Sequence, residues 1–135
     1  MSTKQLHLPV TVDVDGTPIM RLGLTDHSPV TAITVCGELD PDTAPYLTDL
    51  VERVAAGRPQ QIVIDMAGVT FFCAAGLNAL LRANDIVTGA GGRLLLRSPS
   101  PQTQQILVIT ATDHLFQPDT HDLPDLGKSW GNRVR

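Results

Sequence analysis

The chain has 135 residues, 42% of them hydrophobic and 18% charged, and a formal net charge of −4. That size fits one domain with a core of its own, and that composition excludes a disordered chain. The acidic balance excludes a cationic surface for collecting nucleic acid, and no apolar run approaches the roughly 18 residues a membrane-spanning helix needs.

In chain order, residues 1–9 read as a flexible terminus with no apolar signal core. Val10, Val12 and Val14 alternate with polar residues, as a half-buried strand would, and Asp15-Gly16 has turn chemistry. Met20, Leu22 and Leu24 alternate again, and Val30 to Cys36 is rich in β-branched residues and ends at Gly37. A helix then starts at Asp42 or Thr43, because Pro45 is tolerated only in a first turn. Leu47, Leu50, Val51 and Val54 recur at helical spacing on its inner face, and Gly57 with Pro59 ends it.

Gln61 to Met66 is a short apolar run that suits a central strand covered on both faces. A second helix is predicted from about Ala75 to Thr88, with Leu77, Leu80, Leu81 and Val87 inward and Asn84 interrupting the stripe. After Gly89 to Gly92, Arg93 to Leu96 resumes as a strand. Ser98-Pro99-Ser100-Pro101 then opens a third helix, whose inner face would hold Thr103, Ile106, Leu107 and Thr110. From Gln117 the periodicity is lost, so 117–135 reads as a tail with one docked turn near Leu123 or Leu126. The reading is therefore one α/β domain over 10–116. Its sheet is mixed, because the opening strands come before any helix.

Val69 to Leu81, VTFFCAAGLNALL, is similar to the signature of STAS domains, the family of bacterial anti-sigma-factor antagonists. Gly37-Glu38-Leu39-Asp40, the strand Gln61 to Asp65, and the stretch from Ser98 to Phe116 resemble further family elements in the same order. The resemblance implies a single STAS-like domain with helices packed mainly on one face of the sheet. It also implies a partner, an anti-sigma factor of the histidine-kinase-like ATPase type, which phosphorylates the first serine of the signature turn and so dissociates the complex. Aligned on Gly76, this chain has Cys73 at the acidic position, Ala74 at the phosphoacceptor position and Ala75 after it. No phosphorylation site is expected there.

The resemblance places the partner-binding surface on Asp40, Thr43, Cys73, Ala74, Ala75, Gly76, Asn78 and Arg82. A plainer reading makes Asp40 and Thr43 caps of the first helix and leaves Asn78 and Arg82 on a solvated face. Cys73, at a helix start, admits a thiol-based role, although small inert cysteines are commoner. Thr70 and Ser100 are substitute hydroxyls, more naturally a strand residue and a helix cap. His7, His27, His114 and His121 lack metal-ligand spacing, and Asp65 has no convergent base or nucleophile, so it reads as a structural hydrogen-bonding group. The expectation is a non-enzymatic cytoplasmic regulator without metal, cofactor, nucleic acid or membrane span. The alternative is a structural subunit of a larger sensory or transporter-associated complex. The two cysteines, Cys36 and Cys73, do not make a disulfide framework.

Overall fold

The computed structural model describes residues 4–14, 17–27 and 29–118. The expected turn near Leu123 or Leu126 lies outside the described residues. Among the described residues six strands form one sheet in sequence order: β1 (Lys4–Val14), β2 (Thr17–His27), β3 (Val30–Leu39), β4 (Gln61–Phe72), β5 (Arg93–Arg97) and β6 (Gln117–Pro118). The first two pairings are antiparallel and the remaining three parallel, so the sheet is mixed. Two boundaries differ from the sequence reading. The first strand begins at Lys4 rather than Val10, because its length is set by pairing with β2 from Lys4–Asp26 to Val14–Thr17. Gln117 and Pro118, assigned to the tail, instead pair with Leu95 and Leu96 of β5.

Helix α1 (Ala44–Ala56) joins β3 to β4, α2 (Ala74–Gly89) joins β4 to β5, and α3 (Pro101–Ile109) follows β5. The order β3-β4-β5 steps steadily in one direction across the sheet. Crossovers of one hand then place both helices on the same face. The main core records this: Leu47, Leu50 and Val51 of α1 and Leu77, Leu80 and Ala83 of α2 cluster with Ile33, Ile62, Ile64 and Leu96. Each such leucine, isoleucine or valine contributes about 1.5–3 kcal/mol on burial. The opposite face carries a separate, smaller cluster of Val30, Ala32, Val63 and Leu95. The strands are thus apolar on both sides, as continuous apolar runs require.

The helical faces follow the predicted stripes with local shifts. In α2 Ala83 is buried while Leu81 is only partly so, and Asn84 sits half-buried at the stripe's border. In α3 Thr103 and Leu107 are buried, whereas Thr110 is exposed beyond the helix end, its hydroxyl donating to the Ile106 carbonyl at 2.7 Å. Ser100 is the α3 cap, its Oγ accepting from Thr103 N at 3.0 Å with Pro101 next in the first turn. At the end of α1 the left-handed position falls on Arg58 (φ +55°) rather than on Gly57 (φ −81°).

β4 runs well beyond Met66, to Phe72. Its pairing with β3 slips between Thr34 and Cys36 and again between Gly37 and Glu38. Gly37 has φ +104°, and a Cβ there would collide with the Ile19 carbonyl oxygen, so only glycine fits. These irregularities carry β3 and β4 side by side to the edge where α1 and α2 begin.

Candidate partner-binding surface

The surface forms where β3 and β4 end and α1 and α2 start. β3 and β4 finish in register as Glu38–Phe71 and Leu39–Phe72. Strand alternation sends adjacent residues to opposite faces, so of two consecutive phenylalanines only one reaches the core. Phe72 is that one, at 1% exposure, while Phe71 remains 43% exposed.

The β3–α1 turn is built by Asp40 and Thr43 acting on each other. Asp40 Oδ1 accepts from the main-chain N–H groups of Asp42 and Thr43, both at 2.9 Å. Thr43 Oγ1 accepts from Asp40 N at 2.9 Å and donates to the Glu38 carbonyl at 2.7 Å. Thr43 occupies the N-cap position but its side chain bonds backward, not to the helix. Its exposure is zero. Thr43 therefore shapes the loop from a buried position, whereas Asp40 stays half-buried and Asp42 exposed.

The β4–α2 turn is set by packing. Cys73 is the N-cap residue of α2, in extended conformation (φ −139°, ψ −170°), without a side-chain cap bond. Its thiol reaches instead toward the Leu39 carbonyl at 3.6 Å, tying the α2 start to the end of β3. Cys36 and Cys73 form no disulfide. Gly76 is buried against the Phe72 ring: a Cβ there would lie 2.8 Å from two ring carbons and 3.3 Å from Leu39 Cδ2. Gly76 lets the helix start lie close on Phe72 and is itself buried.

With Gly76 held inward, Ala74 faces out as the first residue of α2, and Ala75 is half-buried. Ala74, Asn78 and Arg82 are all exposed at four-residue spacing, one stripe about 12 Å long. Phe71 (43% exposed) precedes this stripe, and Tyr46 (45% exposed) stands in the first turn of α1. Neither aromatic was among the sequence candidates. Two signals pointed to them: the Phe71-Phe72 pair within a strand, and the placement of Tyr46 one residue off the inner face of α1. Exposed Glu38, Asp42 and Asp49 make the β3–α1 side acidic, and Arg82 supplies a cation on α2.

Thr70 is exposed on β4, and Ser100 is engaged as the α3 cap. Asp65, buried in mid-strand, accepts from the Ala67 main chain at 3.0 Å. Among the described residues no group of three or more His, Cys, Asp or Glu side chains gathers around a common point, and no helix is long and apolar enough to cross a membrane.

Residues 21–118 match the family model described as "Mlab, STAS domain". Over 62 residues the chain is 32% identical to the anti-sigma-F factor antagonist RsfB of Mycobacterium tuberculosis, covering 46% of this chain and 51% of that protein. The chain thus spans about half the length of that relative. The crystal structure of an anti-sigma factor antagonist from Mycobacterium paratuberculosis is similar with a TM-score of 0.66 at 27% identity, over 82% of this chain and 91% of that one. The murine anion transporter Slc26a9 shares the fold alone: TM-score 0.59 at 16% identity, over 90% of this chain and 21% of the transporter.

Proposed function

The chain belongs to the STAS domain family, and we propose that it is a non-enzymatic, cytoplasmic regulator that binds an anti-sigma factor without being switched by phosphorylation. The partner in this reading is an anti-sigma factor of the histidine-kinase-like ATPase type, engaged by Phe71, Ala74, Asn78 and Arg82 together with the Asp40–Asp42 loop. No metal or cofactor takes part.

One observation carries the reading: the first residue of α2 is exposed, and it is an alanine. A helix start presents unpaired N–H groups and the positive end of the dipole, so a phosphate there is well tolerated by its own chain. On a docking surface the same group adds up to about two negative charges that must be desolvated. A penalty of roughly 3–5 kcal/mol weakens binding by a factor of several hundred or more. Ala74 has no hydroxyl to carry that group, so this contact stays small, apolar and uncharged.

Purified chain incubated with the ATPase-type anti-sigma factor captured from its host, plus labelled ATP, tests this. Wild type stays unlabelled while forming the complex, and Ala74→Ser acquires label and loses the partner. Label on the wild-type chain would overturn the switchless reading, and capture of no ATPase-type protein would overturn the partner. The Slc26a9 likeness supports a second reading, a fixed subunit of a larger assembly. Under it, the same capture recovers a multi-subunit particle.

A further inference from the structure

We propose that a trough of about 620 Å³, at the opposite end of the sheet from Ala74, is a binding site for a small amphipathic organic anion. Its walls are the C-terminal turn of α1, the helix-side face of the β2–β3 hairpin end, and the α1–β4 loop. Its lining is mixed: Leu24, Leu50 and Val54 supply apolar surface beside Asp26, Thr31 and Gln60. Arg53 and Arg58 stand on its α1 side, and both are exposed.

The trough is preformed. The Pro29 carbonyl accepts from Gln60 N at 3.1 Å and Gln61 N at 3.4 Å, which locks the hairpin end to the α1–β4 loop. The Gln60 carbonyl accepts from Arg93 N at 3.0 Å, which ties that loop to β5. The Arg58 guanidinium donates to the Ala90 carbonyl at 3.3 Å, which ties the same loop to the end of α2. Ordering costs that weaken binding to mobile sites are therefore already met by the fold.

Its dimensions and chemistry select the ligand. The volume lies in the range of small-molecule sites, and such sites combine an apolar lining with a few polar groups that orient the guest. Here the orienting groups are the guanidiniums of Arg53 and Arg58, the latter bonded to a neutral carbonyl. A guanidinium fork matches a carboxylate or phosphate oxygen pair, while Leu50 and Val54 cover an alkyl or aryl body. Asp26 on the β2 rim repels an anion from that side and directs the head group toward α1.

The test is a titration of the full isotope-labelled chain with decanoate, read by amide shifts. Decanol supplies the tail without the charge, and inorganic phosphate supplies the charge without the tail. Decanoate is expected to shift the Thr31, Leu50, Val54 and Gln60 amides saturably, with a Kd of about 1 mM or tighter. Arg53→Gln, an exposed residue whose variant keeps the folded spectrum, is expected to weaken binding at least fivefold. Absence of saturable shifts at these amides would overturn the site. Equal binding of decanol, equal shifts with phosphate alone, or undiminished binding in Arg53→Gln would each overturn the assigned ligand class.

Discussion

Replacing Thr43 by valine isolates one buried hydroxyl on which the β3–α1 turn depends. Valine keeps the shape, so no cavity opens and the change is chemical. In the wild type the hydroxyl hydrogen goes to the Glu38 carbonyl at 2.7 Å, and the oxygen accepts from Asp40 N at 2.9 Å. Both main-chain groups lose their side-chain partner in the variant. A buried polar group left unpaired costs about 1–3 kcal/mol. Glu38 is exposed and Asp40 half-buried, so water reaches part of the turn and keeps each cost toward the lower end. The expected loss is about 2–3 kcal/mol, which for a domain of this size lowers Tm by on the order of 10 °C. Thr43→Ser keeps the hydroxyl and loses one methyl, for about 1 kcal/mol. Urea unfolding of the three proteins at pH 7, with unchanged m-values, reads these differences directly. A valine variant within 0.5 kcal/mol of wild type, or more stable than the serine variant, would refute the assignment of the turn to this hydroxyl.

Gly76→Ala places a methyl against the Phe72 ring and Leu39, both buried, and the strain of about 1–3 kcal/mol outweighs the gain of up to about 1 kcal/mol in helix propensity. Thermal unfolding should show a lower Tm, and an equal or higher one would contradict the close packing. Ser100→Ala removes the α3 cap and costs about 1 kcal/mol, measured by urea unfolding. Phe71→Ala costs only about 1 kcal/mol of stability, because the side chain is 43% exposed in the free chain. The same variant weakens capture of the anti-sigma partner more than tenfold in a pull-down, as loss of an aromatic anchor does.

Much of this architecture was legible because its signals are local. Alternation at Met20-Leu22-Leu24 marked β2, the Leu47–Val54 spacing marked α1, and Ser100-Pro101 marked a cap that forms as written. The errors arose where tertiary pairing overrides local pattern. Lys4 to Pro9 join a strand through their β2 partners, and Gln117-Pro118 through β5, neither of which a window of sequence contains. The long extension of β4 was hidden for the same reason: Ala67 and Gly68 look like a break, yet Gly68 is small because a Cβ there would meet Cys36 Sγ at 2.5 Å. At the candidate surface, residue types were legible and their depth was not. The resemblance names Thr43 and Gly76 with the exposed residues, and no sequence signal shows that both are buried.

That division explains how the alanine at position 74 is tolerated by the fold. The outward direction of residue 74 is set by neighbours that do not depend on it: Gly76 against Phe72, the Cys73 thiol toward Leu39, and the first helical bond from Leu77 N to the Cys73 carbonyl at 3.0 Å. None of these involves the side chain of residue 74. Serine, alanine or aspartate can occupy the position with little change in stability, while the charge presented there changes by one unit with aspartate and by up to about two with a phosphorylated serine. The geometry of this helix start is thus separable from the charge that residue 74 carries.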